Sequence, residues 1–119
     1  MKLYSNTHEW FDTETNEVGI TNHAAEELGD IVYIELPNVE SEVTFGVAFT
    51  ELESVKAVAE IYSPVTGIVC DENLNVEQNP ALINDDAENC WIIKVKDARD
   101  FEGLMTKEEY DEYIKNEVN

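Results

Sequence analysis

Residues 47–62 read Val47-Ala48-Phe49-Thr50-Glu51-Leu52-Glu53-Ser54-Val55-Lys56-Ala57-Val58-Ala59-Glu60-Ile61-Tyr62. Two β-prone runs, Val47 to Leu52 and Ala57 to Tyr62, flank a short polar break, which is the pattern of a β-hairpin. Lys56 then projects from the tip, where a backbone is held and a side chain is exposed. A modifying enzyme needs that geometry to reach an amine. Lys56 is also the only basic side chain between Lys2 and Lys94, an interval that carries 19 Asp and Glu. The plain reading of such a residue is a solvated turn lysine.

On the N-terminal side, residues 3–11 read as a short strand ending in His8-Glu9-Trp10-Phe11. Asp12 to Asn16 is a polar turn, and Glu17-Val18-Gly19-Ile20 a second strand. Thr21 or Asn22 can cap a short helix over 22–28, with Gly29 as its stop. Glu26 and Glu27 lie late in that helix, where the dipole disfavours them. Packing of Ala24, Ala25 and Leu28 must therefore hold it. Asp30 to Leu36 alternates, placing Val32, Ile34 and Leu36 on one face and Ile31, Tyr33 and Glu35 on the other. Pro37-Asn38 ends it.

On the C-terminal side, Ser63-Pro64-Val65-Thr66-Gly67 is a turn, followed by a strand from Ile68 to Cys70. Gln78-Asn79-Pro80 and Asn84-Asp85-Asp86 read as loops. Cys90 to Lys96 is a further strand, with Trp91, Ile93 and Val95 toward the core. Thr106-Lys107-Glu108-Glu109 is a capping box opening a helix over 106–117. Tyr110, Tyr113 and Ile114 form its apolar stripe, and Phe101 and Leu104 begin the same patch. On this reading Tyr113→Ala costs roughly 3 kcal/mol.

The chain is thus mainly β, a small barrel or sandwich of short strands with two peripheral helices. At 119 residues and 43% hydrophobic content it is expected to be one domain, residues 1–119, with a real core. The formal charge is −20. Such a surface repels phosphate backbones and anionic membranes, and steers toward basic protein surfaces. No nucleic-acid or membrane partner is expected, and no signal or spanning segment is read. Cys70 and Cys90 are read as reduced and buried, which fits a cytoplasmic compartment, with a bridge between them as the open alternative. His8 and His23 lack ligand spacing and no C-x-x-C occurs, so no metal site is read.

Several blocks together resemble the glycine cleavage system H proteins, a lipoyl carrier family. Glu53-Ser54-Val55-Lys56-Ala57 with Ser63-Pro64-Val65-Thr66-Gly67 is similar to the lipoylation site and its following turn. His8-Glu9-Trp10, Gly19-Ile20-Thr21 with Ala24, Leu28-Gly29-Asp30 through Leu36-Pro37, Asn84-Asp85 and Trp91-Ile92-Ile93-Lys94 follow in the family's order. The resemblance runs from about Tyr4 to Tyr113. Two departures stand out. Val47, not an acid, follows Gly46, and Ala87-Glu88-Asn89-Cys90 replaces a Gly-rich loop before Trp91.

The resemblance implies a flattened, lipoyl-domain (hybrid barrel-sandwich) fold and a monomeric carrier without catalytic residues of its own. It implies lipoate joined to Lys56, with Glu53, Ser54, Val55 and Ala57 read by a lipoate ligase or a lipoyl/octanoyl transferase. It implies glycine decarboxylase, aminomethyltransferase and dihydrolipoamide dehydrogenase as partners, in the cytoplasm or, for a trimmed eukaryotic form, the mitochondrial matrix. Glu9 and His23 match positions near a cleft that receives the loaded arm; the plain alternatives are an exposed strand acid and a first-turn helix residue. Other readings stay open. One is an H-like lipoyl donor or redox-linked target outside glycine breakdown. Another is a lipoyl domain of a 2-oxoacid dehydrogenase complex, although those usually flank the lysine with Asp and Ala. The last is an acidic interaction module with unmodified Lys56. A biotinyl carrier is disfavoured, because Val55 and Ala57 stand where Met is typical.

Overall fold

The structure is a computed structural model and describes residues 1–117. The strands are β1 (Lys2–Tyr4), β2 (Glu9–Asp12), β3 (Glu17–Ile20), β4 (Ile31–Ile34), β5 (Glu42–Val43), β6 (Ala48–Ser54), β7 (Val58–Tyr62), β8 (Thr66–Glu72) and β9 (Ile93–Arg99). The helices are α1 (Asn22–Leu28), α2 (Leu74–Gln78), α3 (Ala81–Asp85) and α4 (Lys107–Lys115). One sheet has six strands in the order β1-β2-β3-β9-β8-β5, the other three in the order β4-β6-β7. Every pairing between these strands is antiparallel. The sheets do not close into a barrel. They enclose one large core that includes Phe11, Val18, Ile34, Leu52, Val65, Val69, Ile83, Ile92 and Val95.

Several expectations change. The strand over 3–11 is broken at a turn, where Ser5 N–H donates to the Glu9 carbonyl and His8 N–H to the Ser5 carbonyl. The chain doubles back there as a hairpin, so Leu3 faces Phe11. In β4 the alternation fails, because the register with β6 shifts between Ile31 and Tyr33. Ile31 and Ile34 are both buried while Val32 is 55% exposed. A bulge adds a residue and turns the next side chain over. Gln78, Asn84 and Asp85, read as loop residues, instead close two one-turn helices, α2 and α3, that bury Val76 and Ile83. Near the end, Ile92 and Ile93 are both fully buried, whereas Trp91 precedes the strand and packs elsewhere. Cys70 and Cys90 are unpaired and half-buried, not buried.

Helix α1 starts at Thr21, whose side chain accepts from Ala24 N–H, and its Ala25 is buried. Helix α4 carries the complete capping box: Thr106 accepts from Glu109 N–H, and the Glu109 side chain accepts from Thr106 N–H. Tyr110 anchors it in a second, smaller cluster with Tyr4 and Trp10, flanked by Trp91, Met105 and Ile114. The Tyr4 and Tyr110 rings stack at 4.9 Å. Tyr113 is instead exposed, its hydroxyl donating to the Asn6 carbonyl. Phe101 and Leu104 join the large core, not this cluster. Trp10 fixes the opposite strand: its Nε1–H donates to the Ile20 carbonyl at 2.8 Å, and a Cβ on Gly19 would lie 2.6 Å from its ring. Only Gly fits there.

The loop before Trp91 is a short 3₁₀ turn, Ala87–Asn89. It needs no Gly because its groups are bound in place. Ala87 is fully buried and accepts from Trp10 Nε1–H, and the Glu88 carboxylate accepts from Tyr4 Oη–H.

Candidate functional site

The tip of the β6–β7 hairpin is built from Ser54 outward. Glu53 pairs with Val58, which leaves 54–57 as the turn. Ser54 N–H donates to the Ala57 carbonyl at 2.8 Å. The Ser54 hydroxyl oxygen accepts from Lys56 N–H at 3.3 Å and Ala57 N–H at 3.1 Å. One side chain thus satisfies the two amides that a turn would leave to water. Ser54 therefore shapes the tip. Val55 and Lys56 stand out into solvent. Among the described residues Lys56 enters no ion pair.

The tip is also tied down from behind. Val55 N–H donates to the Asp30 carbonyl at 2.9 Å. Asn84, at the end of α3, grips both neighbours of Asp30: its Nδ2 donates to the Gly29 carbonyl and its Oδ1 accepts from Ile31 N–H, both at 2.9 Å. Gly29 stops α1 with φ +78°, and a Cβ there would sit 3.1 Å from Lys56 Cε. A larger residue would be strained in backbone and would press on the lysine stem. Neither Gly29-Asp30 nor Asn84-Asp85 shows this role in the sequence. Asn84 and Asp30 are 54 residues apart in the chain, so no local signal joins them.

Beside the tip lies a cleft of about 170 Å³, lined by Thr7, His8, Glu9, Leu28, Ala59 and Glu60 among others. Leu28 adjoins Gly29, and Ala59 is three residues beyond Lys56, so the cleft is lined by residues next to the lysine along both α1 and β7. Glu9 is not an exposed strand acid; it is 2% exposed. Its carboxylate accepts from the Ser5 and Thr7 hydroxyls and from Tyr62 N–H. Burial outweighs these hydrogen bonds and pushes the carboxyl up to about 7. His23 does not line this cleft. Its Nε2 turns to Glu27 and Glu117. His8 stands at the wall instead. The histidines, expected to lack ligand spacing, in fact meet: their rings lie 4.7 Å apart, with Glu27 and Glu117 around them. The readable signal was His23 and Glu27 at i and i+4 on α1.

Glu53 is exposed and lines an open groove with Tyr33, Glu35, Glu51, Val58 and Glu60. Exposed Val32, Tyr33, Val55 and Val58 interleave with these acids, giving an apolar and acidic face around the lysine.

The profile of the glycine cleavage H-protein family matches residues 2–117. The chain belongs to that family. A glycine cleavage system H protein of Alkaliphilus oremlandii is 45% identical over 120 residues, covering 98% of this chain and 94% of its own. One from Thermotoga maritima is 42% identical, with 98% of each chain covered. The crystal structure of a glycine cleavage system H protein from Mycobacterium marinum superposes with a TM-score of 0.87 at 31% identity, covering 96% of both chains. H proteins are the lipoyl-carrying shuttle of the glycine cleavage system, a carrier component. No helix among the described residues is long and apolar enough to cross a membrane.

Proposed function

We propose that Lys56 carries lipoate through an amide and that this chain shuttles the aminomethyl group from glycine decarboxylase to the aminomethyltransferase. Dihydrolipoamide dehydrogenase then resets the arm, and the whole chain acts as one carrier domain in the cytoplasm. The observation that carries the reading is the exposed Lys56 amine on a tip whose backbone is tied through Val55 to Asp30. When bound, lipoate supplies the disulfide–dithiol couple that takes up and gives up the one-carbon unit. The chain's own residues do the rest.

Ser54 holds the turn, and Asn84 and Gly29 hold the platform beneath it, so the root of the arm is fixed while its length is free. Fixing one end makes each transfer effectively intramolecular once a partner docks. Amide formation removes the Lys56 charge, so the arm can lie along the apolar wall formed by Leu28, Ala59 and Ile61 without burying an ammonium. Glu9 supplies the acidic end of that wall and attracts a cationic adduct. The face carrying Glu53, Val55 and Val58 is the surface a lipoate ligase or lipoyl/octanoyl transferase reads.

Intact mass after incubation with a lipoate ligase, lipoate and ATP tests the reading. The parent is expected to gain one lipoyl group and Lys56→Arg none. No gain, under conditions that modify a known acceptor, overturns it.

A further inference from the structure

Away from the lysine, the fold gathers four side chains that no sequence motif joins. His8 lies in the turn between β1 and β2, His23 and Glu27 share a face of α1, and Glu117 follows α4. One ligating atom from each lies within 4.8 Å of every other. Both imidazoles address one carboxylate: His8 Nε2 is 3.1 Å from Glu117 Oε2, and His23 Nε2 is 3.1 Å from Glu117 Oε1. His23 Nε2 is also 3.2 Å from Glu27 Oε1.

We propose that His8, His23, Glu27 and Glu117 bind one divalent transition cation of the zinc class. Three observations carry this. First, four ligands at bond lengths near 2.0–2.1 Å around a tetrahedral ion place donor atoms about 3.3 Å from one another. Three contacts, of 3.1 and 3.2 Å, are already at that spacing, two of them through different oxygens of Glu117. One donor atom from each residue lies within 4.8 Å of the others, so binding needs side-chain rotations that draw the remaining pairs in. Second, two imidazole nitrogens with two carboxylates suit zinc, copper or nickel, whereas calcium and magnesium take oxygen alone.

Third, His8 has the outer partner that ligating histidines carry. Its Nδ1 is 2.8 Å from Tyr110 Oη, which is 2.8 Å from Thr21 Oγ1. Thr21 Oγ1 also accepts from Ala24 N–H. With Nδ1–H donating to Tyr110 and the Tyr110 hydroxyl donating to Thr21, the Nε2 lone pair points into the cluster. The rings are sheltered, with His8 and His23 side chains 15% and 26% exposed, while Glu27 at 55% leaves a path for the ion. The competing account is a clasp of protonated histidines on Glu117 that ties down the chain after α4. It requires no metal. The site does not depend on Lys56, although His8 and Glu27 also border the cleft.

The test is titration of the chelator-treated full chain with Zn²⁺, and with Co²⁺ as a coloured probe, at high ionic strength to screen scattered carboxylates. The expected result is one equivalent retained through gel filtration, the intense visible bands of four-coordinate cobalt, and a zinc-dependent rise in Tm. His8→Gln and His23→Gln each weaken binding at least tenfold, and Glu27→Gln, an exposed helix position, weakens it with the fold intact. Tyr110→Phe keeps the ring but drops the outer partner, and weakens binding about tenfold or more. Lys56→Arg binds like the parent. Binding in many equivalents that His8→Gln and His23→Gln leave unchanged overturns the proposal in favour of diffuse attraction. No binding by the parent, with Glu27→Gln and parent melting alike with and without zinc, overturns it in favour of the clasp.

Discussion

At the scale of single residues, Glu9 is a buried acid whose protonation bears on stability. Its carboxyl is raised from 4.5 to about 7, chiefly by burial, against four lowering hydrogen bonds. A carboxyl whose folded pKa exceeds its unfolded one favours the fold while protonated. That contribution is complete below about 4.5 and is lost as pH rises through about 7. The groups facing it are His8 beside it, Glu60 and Tyr62 from β7, and Tyr110 from α4. Glu9→Gln cannot titrate, so its stability in a chelated buffer should be flatter between pH 5 and pH 8 than the parent's. The two stability curves should diverge by a few kcal/mol at most, at about 1.4 kcal/mol for each tenfold change in proton affinity. Parallel Tm-against-pH curves would contradict this. Gly29→Ala makes a second residue-level test. It strains the left-handed stop of α1 and crowds Lys56. It should slow lipoylation several-fold while leaving the circular dichroism of the fold unchanged; an unchanged rate would remove Gly29 from the site.

At the scale of elements, α4 is held by Tyr110 and not by the stripe as a whole. Tyr110→Ala should cost about 3–4 kcal/mol in denaturant unfolding, since it empties a buried ring position and abandons His8 and Thr21. Tyr113→Ala should cost about 1 kcal/mol or less, since that ring is exposed. Equal losses would refute the assignment. Helix α4 and its cap were legible because a capping box is a four-residue pattern. The β6–β7 hairpin and the Gly29 stop were legible for the same local reason. The β4 bulge was not, because alternation is broken there by pairing with β6. Helices α2 and α3 were hidden by their brevity, and by the Asn and Pro residues that begin and end them. The break at Ser5–His8 was missed because it contains neither Gly nor Pro, with His8 itself taking φ 75°. The exposed hairpin tip at Lys56 was legible, because the residues that form it are adjacent in sequence. Its anchorage through Asn84 was not, nor was the meeting of His8 with Glu117, which only the folded chain brings about.

At the scale of the molecule, the charge of −20 acts as a field. It should speed encounter with enzymes that present basic surfaces, and salt should slow that encounter. The rate constant for lipoylation at low substrate should therefore fall when ionic strength rises from about 10 mM to about 150 mM, with a smaller change in turnover at saturation. A rate indifferent to salt would show that docking rests on the exposed valines around Lys56. The hydrogen bond from Val55 to Asp30 bears on timing. The amide belongs to a residue that is 68% exposed, yet it should exchange with deuterated solvent only when the α1–β4 connection lets go. That connection is gripped by Asn84 from a helix whose Ile83 is buried in the main core. Val55 should thus keep pace with the interior in hydrogen exchange, not with surface loops. The carrier's slow clock and its fast clock then meet at Lys56, with a backbone that opens rarely on one side and a side chain that swings freely on the other.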